Sequence, residues 1–266
     1  MHKTALVACL TLSAALAVTP PQSGEVKGTV LDAKGRPLPG AIVWLLPSIS
    51  GNFGYTSSSN LVKTRTDANG QYSVKPLPNM LFGATAWVKV PYQGESFCLR
   101  LAAENDAQYE PFSPKGGVVR NFRLKLTGPV PDTDIANTYF GAEVRLMTMT
   151  WEGADEVVPL NSTKVEVTLT PTGPLIDGSE GKTIVKVTKP GENFLYDIPV
   201  GRYTVTAAEV QPNGARTPVL VTRDYTIDKG FKTTLTFKPN SDLCGGAPGT
   251  TSFVERAILY VARPTR

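Results

Sequence analysis

Residues 28–45 read GTVLDAKGRPLPGAIVWL. With three glycines ahead of the apolar run and Lys34 and Arg36 between them, the stretch invites comparison with a loop that cradles phosphate. Such a loop needs a Gly-Lys-Ser/Thr followed by a helix. Here the run after the glycines, AIVWLL, is strand-like and bears no helical period. Asp32 opens an Asp-x-x-Gly tetrapeptide, in which the carboxylate holds turn N–H groups and Gly35 supplies the positive φ that closes the turn. Pro37 and Pro39 cannot donate to a ladder and suit an edge connector. The stretch therefore reads as two strands joined by a turn and a stiff connector, with Lys34 and Arg36 as solvated turn charges.

Outward from this point the chain keeps the same character. Alternating runs bounded by Gly, Pro, Asn and Asp recur at 163–172, 182–188, 201–210 and 232–239. In KVEVTLT, Val165, Val167 and Leu169 share one face and Lys164, Glu166 and Thr168 the other, the period-2 signature of a half-buried strand. A second Asp-x-x-Gly, Asp67 to Gly70, repeats the turn chemistry of the first. The expected fold is all-β, with two tandem immunoglobulin-like or prealbumin-like β-sandwich domains behind a cleaved signal peptide.

Two blocks, 25–126 and 139–239, flank a proline-bearing stretch at 127–138 that reads as a stiff linker. DANGQYSVKPLPNMLF (67–82) lies over KPGENFLYDIPVGRY (189–203): Gly70 with Gly191, Leu77 with Ile198, Pro78 with Pro199 and Phe82 with Tyr203 all keep an offset of 121 residues. These matches point to an internal duplication. Residues 240–266 are left as a C-terminal tail able to add a strand.

The first block resembles the carboxypeptidase regulatory-like domain, a seven-stranded prealbumin-like sandwich. Gly28, Val30, Asp32, Gly35, Pro37, Gly40, Ala41 and Val43 fill that family's first motif, and Thr66, Asp67, Gly70 and Tyr72 its second. The second block keeps only the IPVGRYTV corner, which carries over sandwich class and not membership. Related surface sandwiches join a first-strand Lys to a last-strand Asn. Lys27 and Asn121 lie on about those strands, yet Phe122, Leu124 and Leu126 are the inward set, which turns Asn121 outward.

The N-terminus has the pattern of a secretory signal: Lys3, an apolar run from Ala5 to Leu16, and small residues that place cleavage after Ala17. Cys9 sits in a lipobox-like Leu-Val-Ala-Cys, but the apolar run continues past it, so lipid anchoring is not expected. No other segment approaches the ~20 residues of a spanning helix. Without Lys3 the chain carries 26 basic and 23 acidic residues, and no basic run interleaves with aromatics, so nucleic acid is not an expected partner.

The single histidine, His2, falls inside the signal. Its loss removes Ser–His and Cys–His nucleophile pairs and His-ligated zinc or iron, and no cofactor is expected. The acids that remain cluster at Glu152, Asp155 and Glu156, which reads as a solvated loop before it reads as a glycosidase pair. The Asp67–Gly70 turn has an EF-hand-like opening but Pro78 stands where the bidentate Glu is needed.

After cleavage two cysteines remain, Cys98 and Cys244, either bridged or buried as thiols. Three loop aromatics, Tyr55, Tyr92 and Trp151, are candidates for ligand contact, since loops carry binding residues; each also suits the cap of a sandwich end. The chain thus reads as an exported (periplasmic, cell-surface or secreted) non-catalytic protein of the envelope or extracellular space. Its expected partner is a protein or a carbohydrate. The alternatives are an accessory subunit of a larger envelope complex and a hydrolase or lyase that works with carboxylates alone.

Overall fold

The computed structural model describes residues 19–48, 61–150, 156–224 and 230–265. The signal segment with Cys9, and Tyr55, Trp151, Glu152 and Asp155, lie outside the described residues. Within them the chain is all-β, apart from two 3-10 turns at Asp106–Gln108 and Pro114–Gly116.

The first sheet system holds β1 (Val26–Leu31), β2 (Ile42–Ser48), β3 (Val62–Arg65), β4 (Gln71–Val74) and β5 (Leu81–Tyr92). It is completed by β6 (Glu95–Ala103), β7 (Val118–Val119) and β8 (Phe122–Leu124). The strand order is β3-β2-β5-β6-β8-β1-β4, with β7 beside β1. The second holds β9 (Ala142–Thr148), β10 (Glu156–Val157), β11 (Lys164–Pro171), β12 (Ile184–Val187) and β13 (Phe194–Ile198). It continues with β14 (Arg202–Val210), β15 (Arg216–Thr222), β16 (Thr233–Thr236) and β17 (Ala257–Arg263). Its order is β12-β11-β14-β15-β17-β9-β13, with β10 beside β17 and β16 beside β14.

Laid side by side, the two paths are one topology used twice. Taken in chain order, β1, β2, β3, β4, β5, β6 and β8 hold the places of β9, β11, β12, β13, β14, β15 and β17. In both, the closing strand runs parallel to the opening one, β8 beside β1 and β17 beside β9. The match places β17 as the last strand of the second unit, flanked by β9 and β15. Sequence alone assigns these residues to a tail able to add a strand, and β17 is that strand, paired with β9 and β15.

The alternation predicted for β11 is present, with Val165, Val167 and Leu169 fully buried between half-exposed polar neighbours. Phe82 and Tyr203 occupy equivalent places near the start of β5 and β14, and both are wholly buried. Leu77 and Ile198 do not match in space: Leu77 is 54% exposed and Ile198 is buried. The β4–β5 connection is longer than the β13–β14 corner, so Leu77 lies in the loop whereas Ile198 still pairs with Ala142 on β9. A repeat mark not read from the sequence is a buried threonine just after β3 and β12. Thr66 Oγ1 accepts from Ala41 N at 2.9 Å, and Thr188 Oγ1 accepts from Val165 N at 3.0 Å.

The two Asp-x-x-Gly turns have the same geometry. Asp32 Oδ1 accepts from the Lys34 and Arg36 amides at 2.9 and 2.8 Å, and Asp67 Oδ1 from the Asn69 and Gln71 amides at 2.9 and 2.8 Å. Gly35 and Gly70 close them at φ +80° and +69°. At Gly70 a Cβ would also lie 2.6 Å from the Val30 carbonyl oxygen and 2.9 Å from Leu38 N, so the second turn is pressed against β1 and the connector after it. Asn121 Oδ1 accepts from Thr29 N and its amide donates to Glu104, while Lys27 Nζ reaches Thr19 and the Pro20 carbonyl. The two side chains therefore have separate partners.

Three buried tyrosines carry an alkaline limit. Tyr72 donates to the Arg120 carbonyl at 2.6 Å, Tyr203 donates to the Pro199 carbonyl at 2.7 Å, and the Tyr109 oxygen accepts from Ala103 N at 2.9 Å. Burial raises all three hydroxyls, that of Tyr109 to about 12 from an ordinary 10.0. Above pH 10 the unfolded chain loses these protons while the folded chain keeps them, so stability falls as pH rises from 10 to 12. Urea midpoints should drop across that window and drop less in Tyr109→Phe; equal slopes in the two proteins would contradict the assignment.

Candidate binding surface

Two features stand out from the sandwiches: a clamp on the outer face of β6, and an aromatic face on the second unit. β6 is buried on both sides. Phe97, Leu99 and Leu101 fill the core, so Cys98, Arg100 and Ala102 point outward, where a sheet face would ordinarily meet water. Each outward residue is covered by a segment from elsewhere.

Cys98 is joined to Cys244 in a disulfide, with Cα atoms 5.3 Å apart. Around it Ile42, Trp87 and Cys98 form a small outer core with Trp44, Cys244 and Phe253. The segment 240–253 lies across β5 and β6 like a strap. Thr85 Oγ1 donates to the Gly246 carbonyl at 2.7 Å, Lys89 Nζ to the Asp242 carbonyl at 2.9 Å, and Phe253 N to the Cys98 carbonyl at 2.9 Å. Gly245 has φ +134° and passes so close over Trp44 that a Cβ would meet its ring at 2.2 Å. No side chain fits there.

Arg100 is 1% exposed. Its guanidinium pairs with the buried Asp132 carboxylate and donates to the Thr250 carbonyl at 2.6 Å, and its backbone N donates to Ser252 Oγ at 3.0 Å. Ala102 packs with Val130 and Phe140. The stretch 127–138, expected as a stiff linker, is thus folded back on β6. Val130 N donates to the Thr138 carbonyl and Phe140 N to the Gly128 carbonyl, at 3.0 and 2.9 Å, so it closes as a small hairpin. Its base is tied to the second unit by Asp197, whose carboxylate accepts from Gly128 N at 2.8 Å.

The aromatic face lies on the outer side of β13 and β9. Phe194 and Tyr196 are half-buried with centroids 5.9 Å apart, and Tyr139 stands 5.9 Å from Tyr196. Arg145 and Arg256 lie over Phe194 at 5.6 and 5.1 Å from its centroid. Arg256 also pairs with Glu143 at 2.7 Å. Burial, then the Glu143 and Glu192 carboxylates, raise the Tyr196 hydroxyl above its ordinary value. Among the described residues, neither the Tyr139 nor the Tyr196 hydroxyl has a protein hydrogen-bond partner. A hollow of about 260 Å³ opens here, lined by Tyr139, Tyr196, Glu143, Asp197, Asn240 and Arg256 among others. A second, of about 210 Å³, shares Arg256 and adds Arg223, Lys238 and Tyr260.

Of the aromatics singled out from the sequence, only Tyr92 lies among the described residues. Its hydroxyl donates to the Pro174 carbonyl at 2.8 Å and its ring meets Phe97 edge-on, so it ties the first unit to the second. Glu156, from the acidic cluster, is bonded by Arg263, which also holds the buried Glu209. The face built by Tyr139, Phe194 and Tyr196 was not read from the sequence. Its signal was FLYDI, where Leu195 and Ile198 already supply the core and Phe194 and Tyr196 are still aromatic.

No protein-family model matches the chain, and no curated protein matches it significantly. Among solved structures it is similar to a streptococcal ancillary pilin, with 16% identity and a TM-score of 0.27 over 92% of this chain and 63% of that one. It is also similar to the Bacillus anthracis TIE protein, at 12% identity and a TM-score of 0.32 over 91% of this chain and 34% of that one. A C-terminal fragment of the pilus adhesin SpaC from Lactobacillus rhamnosus GG gives 10% identity and a TM-score of 0.24 over 92% and 99%. The chain therefore spans less than two thirds of the first two. At these scores the likenesses carry no functional argument, and the class of the protein, a tandem of two β-sandwich units, rests on its own strands.

Proposed function

We propose that the chain is an exported, non-catalytic binding or structural protein of the cell envelope or extracellular space, in which two sandwiches act as one rigid body toward a protein or carbohydrate partner. The observation that carries this reading is the clamp on β6, where Cys98, Arg100 and Ala102 fix both the linker and the strap. A disulfide holding such a strap suits an oxidising compartment. Under this reading residues 1–17 are a signal removed on export, and residues 25–126 form a carboxypeptidase regulatory-like sandwich.

Seven acids of the described residues are engaged in structural contacts, which suits a non-catalytic role. Asp32, Asp67 and Asp197 are turned to backbone N–H groups, Asp132 to Arg100, Glu143 to Arg256, and Glu156 with Glu209 to Arg263. Among the described residues no group of three or more His, Cys, Asp or Glu is placed to hold a metal, and none of their helices is long and apolar enough to cross a membrane.

The test is fractionation of the native host with N-terminal sequencing of the protein, followed by crosslinked capture of its envelope partner. A processed N-terminus near residue 18 and a saturable partner are expected. Turnover of a glycan or peptide substrate, abolished by changing one of the carboxylates above, would overturn the reading.

A further inference from the structure

The duplicated topology supplies an internal control for the aromatic face. In both units the core residue of the fourth strand pairs with the opening strand, Tyr72 with Gly28 and Leu195 with Val144. The outward residues beside these pairs are therefore equivalent. The first unit places Gln71 beside Thr29 and Ser73 beside Lys27. The second places Phe194 beside Arg145, then Tyr196, with Glu143 one step further out on β9. The same sheet position is thus polar in one copy and aromatic in the other. Since the fold is satisfied by Gln71 and Ser73, burial of the core does not account for Phe194 and Tyr196. A half-exposed aromatic strip that the scaffold does not need marks a contact site.

From this asymmetry we propose that the Tyr139–Tyr196–Phe194 face binds a carbohydrate chain of pyranose rings. The inference rests on the reading of the protein as a binding module and names the ligand class and the site. A pyranose ring presents a flat face of C–H groups to the electron-rich face of a tyrosine, and its rim of hydroxyls needs both donors and acceptors. The hollow supplies both kinds. The Glu143 carboxylate and the Arg256 guanidinium lie side by side, an acceptor next to a donor, and Asn137, Asn240 and Thr251 complete the rim. Arg145 and Arg256 cover Phe194, which makes Phe194 the support on which Tyr196 is held, with Tyr196 and Tyr139 as the stacking surfaces. A protein partner would sooner seek an apolar centre with a polar rim; here charged and polar groups stand inside the hollow itself.

The experiment is a printed array of neutral and uronate-bearing pyranose oligosaccharides probed with the disulfide-intact protein, followed by calorimetry on the best probe. Tyr196→Ala should weaken binding roughly tenfold or more, as expected for loss of a central aromatic anchor. Tyr196→Phe keeps the stacking ring and should retain most of the affinity, while Ser73→Ala at the equivalent place in the first unit should change nothing. Tyr196 is half-exposed on a strand, and unfolding curves for each variant separate lost binding from lost structure. A blank array, or equal affinity for wild type and Tyr196→Ala, overturns the proposal. A native protein partner captured equally well by both would overturn the glycan assignment and leave the binding-module reading standing; catalytic turnover would overturn that reading itself.

Discussion

Replacing Cys98 and Cys244 together by alanine should lower unfolding stability by about 2–5 kcal/mol. The bridge joins residues 146 apart, and chain-entropy arguments give about 4.7 kcal/mol for a loop of ~100 residues. Alanine is the cleaner replacement, because Cys98 is buried and serine would leave a hydroxyl among apolar side chains. The loss should also be local. The strap covers Ile42, Trp87 and Trp44, so freeing Cys244 lets water reach the outer side of β2 and β5. Tryptophan emission of the variant should shift to the red well before the cooperative transition, and wild-type protein in strong reductant should follow the same curve. Peptide mapping without reductant must recover the segments bearing Cys98 and Cys244 as one linked pair. Recovery of two separate thiol peptides from native protein would refute the bridge, and an unchanged urea midpoint in the alanine variant would refute its role.

What could be read from the sequence, and what could not, divides along a physical line. Local chemistry was legible: Asp32 with Gly35 and Asp67 with Gly70 form the turns their spacing implies, and the period-2 pattern of Val165, Val167 and Leu169 is the pattern of burial. The repeat was legible through Phe82 and Tyr203, though not through Leu77, whose loop is longer than its counterpart. The outer face of β6 was hidden because covering it depends on segments distant in sequence. FCLRLA reads as a strand of mixed polarity until Asp132 and the Thr250 carbonyl are brought to Arg100. The prolines of 127–138 suggested a stiff spacer, yet Val130 and Phe140 had an apolar place to go, and the chain took it. The aromatic face was missed for a related reason. Exposure of Phe194 and Tyr196 is apparent only once Leu195 is known to face the core.

Arg100 and Asp132 should give the second large effect, and its sign depends on how many partners are changed. Both side chains are about 1% exposed, so each charge has been withdrawn from water and is compensated chiefly by the other. Arg100→Met leaves the Asp132 carboxylate buried without its cation, and Asp132→Leu leaves a buried guanidinium; each should cost about 3–5 kcal/mol. The double variant strands no charge, and methionine with leucine fills a comparable volume beside Ala102 and Trp87. It should therefore be distinctly more stable than the sum of the single losses implies, and closer to wild type than either single variant. Stability alone would not show what the pair is for. Without it the linker hairpin keeps Val130 and Phe140 against Ala102 but loses the one ionic tie between residues 127–140 and β6. Limited proteolysis should then cut near Ile135, which is 72% exposed, faster in the double variant than in wild type even where their midpoints agree. Additive losses around the cycle would show that the two residues act independently. An unchanged rate of cleavage would show that the hairpin is held without them, by the packing of Val130 and Phe140 on Ala102.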